Sequence, residues 1–163
     1  MGSKHKNLSH IREETIPSGE KFRFGIVVSE WNSVITEKLY QGCHASLLKY
    51  NTKSENIITV YVPGSFELPQ AAQLLLESQE LDAIICLGCI IKGETTHDHY
   101  IAAAVAHGIM NLSIDYSTPV IFGVLTTNDE QQALDRSGGK YGNKGDESAV
   151  TALKMAALRE RLI

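Results

Sequence analysis

Residues Ala83 to Tyr100 read Ala-Ile-Ile-Cys-Leu-Gly-Cys-Ile-Ile-Lys-Gly-Glu-Thr-Thr-His-Asp-His-Tyr. The run from Ala83 to Ile91 is almost wholly apolar, the pattern of a strand covered on both faces of a parallel sheet. Lys92 and Gly93 end it. Thr95-Thr96-His97-Asp98 then sets a hydroxyl residue three positions before a carboxylate, which predicts a helix starting there with a capping box and with His97 in its first turn. Free N–H groups and the positive end of the helix dipole around that imidazole disfavour its charged form. A neutral histidine can accept a proton near pH 7. The same helix start, approached through Gly93, suits a phosphate or another anion.

Three more apolar runs, Phe22 to Val28, Ile57 to Val62 and Val120 to Leu125, recur with helix-period segments between them. That order predicts an α/β fold with a parallel four-stranded sheet and right-handed crossovers. A first helix over roughly Ser33 to Tyr50 puts Leu39, Gly42, Cys43, Ser46, Leu47 and Tyr50 on one side, and a second carries Leu68, Ala71, Ala72 and Leu75. A third carries Ile101, Ala104, Val105, Gly108, Ile109 and Leu112 on one stripe with Ala102, Ala103 and Ala106 beside it, which predicts close packing on more than one side. A short fourth helix should open with Asn128 and Gln131 in a capping-box relation and end by Ser137-Gly138-Gly139. A last helix runs from about Asp146 to Arg161. Gly138 to Gly145, with Lys140 and Lys144, reads as a flexible or anion-cradling loop.

The composition is that of one soluble domain: 163 residues, 43% apolar and 21% charged. No apolar run has the length of a membrane span, and the N-terminus has neither a secretory signal nor a myristoylation pattern, since Lys6 stands where a hydroxyl residue is needed. The expected location is therefore cytoplasmic. A net charge of −4 without a basic block gives no footprint for nucleic acid or an anionic membrane. Three cysteines, Cys43, Cys86 and Cys89, lie in apolar surroundings, against a disulfide framework. Cys86-Leu-Gly-Cys89 matches C-x-x-C, but inside a buried strand positions three apart face opposite ways, so core packing is the better reading. No cluster at ligand spacing calls for zinc. Residues 1–21 are polar and aperiodic, and would be disordered on their own.

Each predicted strand is followed by a polar or turn cluster: Ser29-Glu30-Trp31-Asn32, Pro63 to Pro69, Lys92 to His97, and Thr126-Thr127-Asn128. In a parallel sheet all four fall along one edge. That edge offers Trp31 and Phe66 for stacking, amides and carboxylates for directional hydrogen bonds, and a helix start for an anion, which fits a planar heterocycle beside a phosphate. Taken singly, Trp31 is more simply a packing residue, Glu67 a solvated one, Arg136 a surface charge complementing a helix C-terminus, and Lys144 a loop lysine. His97 stands apart by its strand-to-helix context; His5, His10, His44 and His107 have none.

From about Phe22 to the C-terminus the chain resembles the 6,7-dimethyl-8-ribityllumazine synthase family. The resemblance rests on Trp31-Asn32, on Pro63-Gly-Ser-Phe-Glu-Leu-Pro69, on Gly88 to His97, on Pro119-Val-Ile-Phe-Gly-Val-Leu-Thr-Thr127, and on Arg136-Ser-Gly-Gly-Lys-Tyr-Gly-Asn-Lys-Gly145, in that order. It implies a flavodoxin-like α/β/α sandwich over residues 22–163 preceded by an extension, 1–21. It also implies a transferase of riboflavin biosynthesis that uses no metal or organic cofactor.

By the resemblance, one substrate is 5-amino-6-(D-ribitylamino)uracil, with Trp31 stacked on its ring and Ser65, Phe66, Glu67, Cys89, Ile90 and Ile91 around ring and ribityl chain. The other is 3,4-dihydroxy-2-butanone 4-phosphate, for which Glu94, Thr95 and Arg136 match the binding positions. Phe122 matches an aromatic supplied by a neighbouring subunit, and His97 matches the proton-transfer residue. The products are 6,7-dimethyl-8-ribityllumazine, inorganic phosphate and water. Family members form homopentamers, and some build an icosahedral shell of sixty chains in which the N-terminal segment adds a strand to a neighbour's sheet. Pro17 lies in that segment and cannot donate to a ladder.

Two departures stand out. The family commonly has an aromatic and then an acidic residue after the histidine, where this chain has Asp98 and His99, and Lys92 replaces an arginine, keeping charge but losing the bidentate fork. The rival enzyme, a riboflavin synthase of the same superfamily, would not need Thr95 and Arg136. A shell or flavin-binding scaffold would not need His97 and Arg136, and a flavodoxin-like electron carrier would be expected to purify with bound yellow flavin.

Overall fold

The structure, a computed structural model, describes residues 15–163. The expected strand addition by the N-terminal extension falls mainly on residues 1–14 and lies outside the described residues. Residues 15–21 are tied to the domain: the Gly19 amide donates to the Tyr50 carbonyl at 2.7 Å, and Ile16 packs on the core.

Four parallel strands, β1 (Phe24–Ser29), β2 (Ile57–Val62), β3 (Ala83–Ile91) and β4 (Val120–Thr127), form one sheet in the order β2-β1-β3-β4. The helices are α1 (Ser33–Lys49), α2 (Leu68–Ser78), α3 (His97–Asp115), α4 (Glu130–Arg136) and α5 (Lys144–Leu162). The sheet separates two apolar cores. Phe24, Ile26, Val28, Ile85 and Leu87 face α1 and α5, whereas Val27, Ile84 and Cys86 face α2 and α3. This is the flavodoxin-like α/β sandwich expected from the continuous apolar runs, each needing cover on both sides. Cys86 and Cys89 are buried, unbridged and on opposite faces of β3, as the period of two requires. From β1 the chain moves outward to β2, then returns across the sheet to β3. The reversal leaves a crevice beyond the carboxyl ends of β1 and β3.

Several boundaries differ from expectation. The ladder of β1 starts at Phe24, not Phe22, because the Arg23 amide donates to the Asp82 carboxylate at 2.7 Å instead of a neighbouring strand. β4 continues to Thr127, whose carbonyl accepts from the Lys92 amide at 2.8 Å. The fourth helix is capped one residue later than predicted: Asp129 accepts from the Gln132 amide at 2.8 Å while Gln132 Oε1 accepts from the Asn128 amide at 2.9 Å. At α3 no capping box forms. Thr96 occupies the cap position without a side-chain bond, and the Thr95 hydroxyl lies 3.4 Å from the His97 amide.

Gly138 to Gly145 is not a flexible loop. Ser137–Gly139 (β5) pairs antiparallel with Gly142–Asn143 (β6), and Gly138 and Gly142, at φ 111° and 87°, supply the left-handed turns. Asn143 then caps α5 by accepting from the Gly145 amide at 2.7 Å. Its lysines are paired within the chain, Lys140 with Asp135 and Lys144 with Glu147, both at 3.4 Å. The third helix packs closely on one side only within the chain: Val105 and Ile109 are buried, while Tyr100, Met110 and Ile114 are exposed.

Candidate active site

A cavity of about 920 Å³ occupies the crevice at the β1/β3 reversal. Three of the four strand-end clusters build it. The turn after β1 brings Trp31 and Asn32, the single helical turn Ser65–Glu67 after β2 brings Ser65, Phe66 and Glu67, and the end of β3 with the start of α3 brings Cys89, Ile90, Ile91, Thr95 and His97. The fourth cluster does not reach it. The Thr127 hydroxyl instead donates to the Asp129 carbonyl at 2.9 Å, fixing the entry to α4.

The walls follow from local chemistry. Asn32 sits in the left-handed region at φ 61°, which its short polar side chain tolerates, and its amide donates to the Cys89 carbonyl at 2.9 Å. This bond ties the Trp31 turn to the end of β3. Trp31 is 73% exposed and Phe66 60%, so neither ring is a core residue; both offer faces at the cavity. Glu67 Oε2 accepts from the Gly64 amide at 3.0 Å, pinning the turn that carries Ser65 and Phe66. Gly88 beneath it makes room for the turn, since an added Cβ would lie 2.6 Å from Ser65 Oγ and force it to shift. Burial pushes the Cys89 thiol up to about 11, so this wall is uncharged at neutral pH. His97 also lines the cavity, exposed at the first residue of α3.

Three residues matched by resemblance lie elsewhere. Glu94 is exposed and does not line the cavity. Phe122 is on edge strand β4, 36% exposed, in register with Cys86. Arg136 ends α4, where Nη1 donates to the Tyr141 carbonyl at 2.6 Å and Nη2 pairs with Glu147 Oε1 at 2.8 Å. Conversely, Asp98, Tyr100, Ile101 and Ala104 line the cavity without having been singled out for it. The signal was present: positions three, four and seven after His97, namely Tyr100, Ile101 and Ala104, share its side of a helix. Among the described residues no group of three or more His, Cys, Asp or Glu could hold a metal ion, and no helix is long and apolar enough to cross a membrane.

Against known proteins, the family profile described as 6,7-dimethyl-8-ribityllumazine synthase matches residues 21–160. A protein of that name from Cytophaga hutchinsonii is 54% identical over 157 residues, 96% of this chain and 98% of its own length. One from Parabacteroides distasonis is 50% identical over 95% of this chain and 97% of its own, and one from Flavobacterium johnsoniae 49% identical over 99% and 85%.

Proposed function

The chain belongs to the 6,7-dimethyl-8-ribityllumazine synthase family, and from that premise we propose that both substrates meet in the cavity between Trp31 and His97. The protein is a transferase that condenses 5-amino-6-(D-ribitylamino)uracil with 3,4-dihydroxy-2-butanone 4-phosphate, giving 6,7-dimethyl-8-ribityllumazine, phosphate and water in riboflavin biosynthesis. The observation that carries the site is the convergence of an exposed indole, the pinned turn Ser65–Glu67 and a histidine at a helix start around one cavity.

The indole of Trp31 stacks on the pyrimidine, and Ser65, Phe66, Glu67, Cys89, Ile90 and Ile91 enclose ring and ribityl chain. Thr95 and the free N–H groups at the start of α3 receive the phosphate-bearing substrate, with Glu94 beside them. The substrate amine adds to the ketone, phosphate leaves, and ring closure expels water. His97 moves protons in these steps, worth about 10² to 10⁴-fold, while alignment of the two substrates supplies much of the remaining rate.

The working form is a homopentamer in the cytoplasm, with sites between subunits. Two observations support this. The exposed side of α3 carries three large apolar or aromatic side chains, Tyr100, Met110 and Ile114, which a neighbouring subunit would cover. Phe122 and Arg136 lie outside the cavity of their own chain, as groups serving a neighbour's cavity would. Closure into a sixty-chain shell depends on residues 1–21 and rests on the family alone. Co-assembly of His97→Ala chains with Arg136→Ala chains tests the shared site. Activity well above either parent supports it; the average of the two parents contradicts it.

A further inference from the structure

Arg136 and Lys144 share one carboxylate. Glu147, in the first turn of α5, takes Arg136 Nη2 on Oε1 at 2.8 Å and Lys144 Nζ on Oε2 at 3.4 Å. The Arg136 and Glu147 side chains each keep 17% exposure. The other terminal nitrogen of the guanidinium is fixed by the hairpin: Nη1 donates to the Tyr141 carbonyl at 2.6 Å, and the Tyr141 amide donates to the Asp135 carbonyl at 2.9 Å. Both ends of the planar fork are thus held, from two different segments of the chain. A guanidinium carries more N–H donors than these bonds use.

A largely buried ion pair adds little net stability over apolar side chains of the same size, because both charges lose water, but it can hold its partners in one geometry. Nor do the charges here cancel. One carboxylate serves two cations, while the adjoining Asp146 accepts from the Ser46 hydroxyl on α1 at 3.2 Å and Asp135 pairs with Lys140 at 3.4 Å. Arg136, Lys144 and Glu147 together carry a surplus positive charge, which suits an anion.

We propose that Glu147 is a positioning residue for the reaction, holding the Arg136 guanidinium in the pose that receives the phosphate group of 3,4-dihydroxy-2-butanone 4-phosphate. The inference rests on the reading that Arg136 meets that phosphate. Coulomb interaction alone predicts the opposite effect, since Glu147 is a negative charge beside the anion and its removal should draw the phosphate in. Orientation outweighs this repulsion, because a misaligned fork loses charge-assisted hydrogen bonds to the phosphate oxygens.

Steady-state kinetics of the assembled protein with each substrate varied in turn, alongside melting temperatures, test it in wild type, Glu147→Gln, Glu147→Asp and Arg136→Ala. Glu147→Gln is expected to raise KM for the phosphate substrate about ten-fold and to leave KM for the pyrimidine unchanged. Glu147→Asp keeps the charge but sets the carboxylate a methylene short of both cations, so KM for the phosphate substrate rises there too, by less. That variant decides the outcome if Glu147→Gln does not fold. A phosphate-substrate KM that falls in Glu147→Gln and stays at the wild-type value in Glu147→Asp shows that Glu147 contributes charge alone, and overturns the proposal. A lower melting temperature with both KM values unchanged, or both raised, marks a structural role and overturns it as well. An unchanged phosphate-substrate KM in Arg136→Ala overturns the reading of Arg136 itself. A raised one there, with unchanged values in both Glu147 variants, overturns the proposal alone.

Discussion

The Asn32 side chain reaches across from the end of β1 to the Cys89 carbonyl near the end of β3, a 2.9 Å bond between residues 57 apart in sequence, from a backbone held at φ 61°. It closes the one point where the sheet order reverses, and it sets the Trp31 ring relative to the β3 wall. The bond is both a stability element and a positioning device.

Asn32→Ala removes the bond and places an alanine in the left-handed region, so it should cost about 2 kcal/mol of stability. Asn32→Gly relieves the backbone without restoring the bond and should recover part of it. Both should weaken pyrimidine binding more than binding of the phosphate substrate. Denaturant melts paired with the two KM values check this.

Gly88→Ala places a methyl group 2.6 Å from Ser65 Oγ and 2.9 Å from Leu68 Cδ1. Overpacking of this kind costs about 1–3 kcal/mol. Because the displaced element is the turn that carries Ser65 and Phe66, the variant should lose pyrimidine affinity as well as stability. A melting temperature lowered with affinity intact would show that the turn does not transmit the strain.

The sheet was legible because burial on both faces leaves unbroken apolar runs: β2 and β3 were bounded to the residue, and only the ends of β1 and β4 slipped. The cavity-lining segments were legible for the same reason, since polar clusters at the carboxyl ends of parallel strands have one edge on which to meet. The β5–β6 hairpin was not, because it is held by left-handed glycines at 138 and 142 and by the Asp135–Lys140 pair, features that resemble a loop in sequence. The orientation of Asp98 was hidden because a capping box would have turned the carboxylate back on the chain, whereas the helix turns it inward. Arg136 was matched by its motif, but the motif does not show that its guanidinium is held by Tyr141 and Glu147 away from the cavity of its own chain.

The cysteine pair predicts a pH dependence without a redox one. Burial raises the thiol of Cys86 from 9.0 to about 12 and that of Cys89 from 9.0 to about 11. In the unfolded chain these thiols ionise near pH 9, while the folded protein keeps them protonated, so the unfolded state binds fewer protons above pH 9 and stability falls as pH rises from 9 through these values. Below pH 9 they contribute no slope. Alkylation of native protein at pH 8 should be slow at Cys86 and fast only on unfolding, and reductant should not change activity. Rapid native labelling of Cys86 would contradict the burial.

Arg136 should report on the phosphate. Its guanidinium is held by the Tyr141 carbonyl and by Glu147, whose other oxygen faces Lys144. Arg136→Ala should raise KM for the phosphate-bearing substrate by about ten- to a hundred-fold while leaving pyrimidine affinity intact. Arg136→Lys keeps charge without the fork and should recover little of it. Glu147→Gln leaves two cations without their shared counter-charge and should lower stability by about 1–2 kcal/mol. Steady-state kinetics with each substrate varied in turn, together with thermal melts, separate these effects.

The central claim is that the cavity between Trp31 and His97 is where the lumazine forms. The most direct measurement mixes both substrates with wild type and with His97→Ala, following lumazine absorbance and phosphate release together against the uncatalysed reaction. One phosphate per lumazine in wild type, with both signals slowed by about 10² to 10⁴-fold yet still above background in His97→Ala, is the predicted result. An unchanged rate in His97→Ala, or a wild-type rate equal to background, would contradict it.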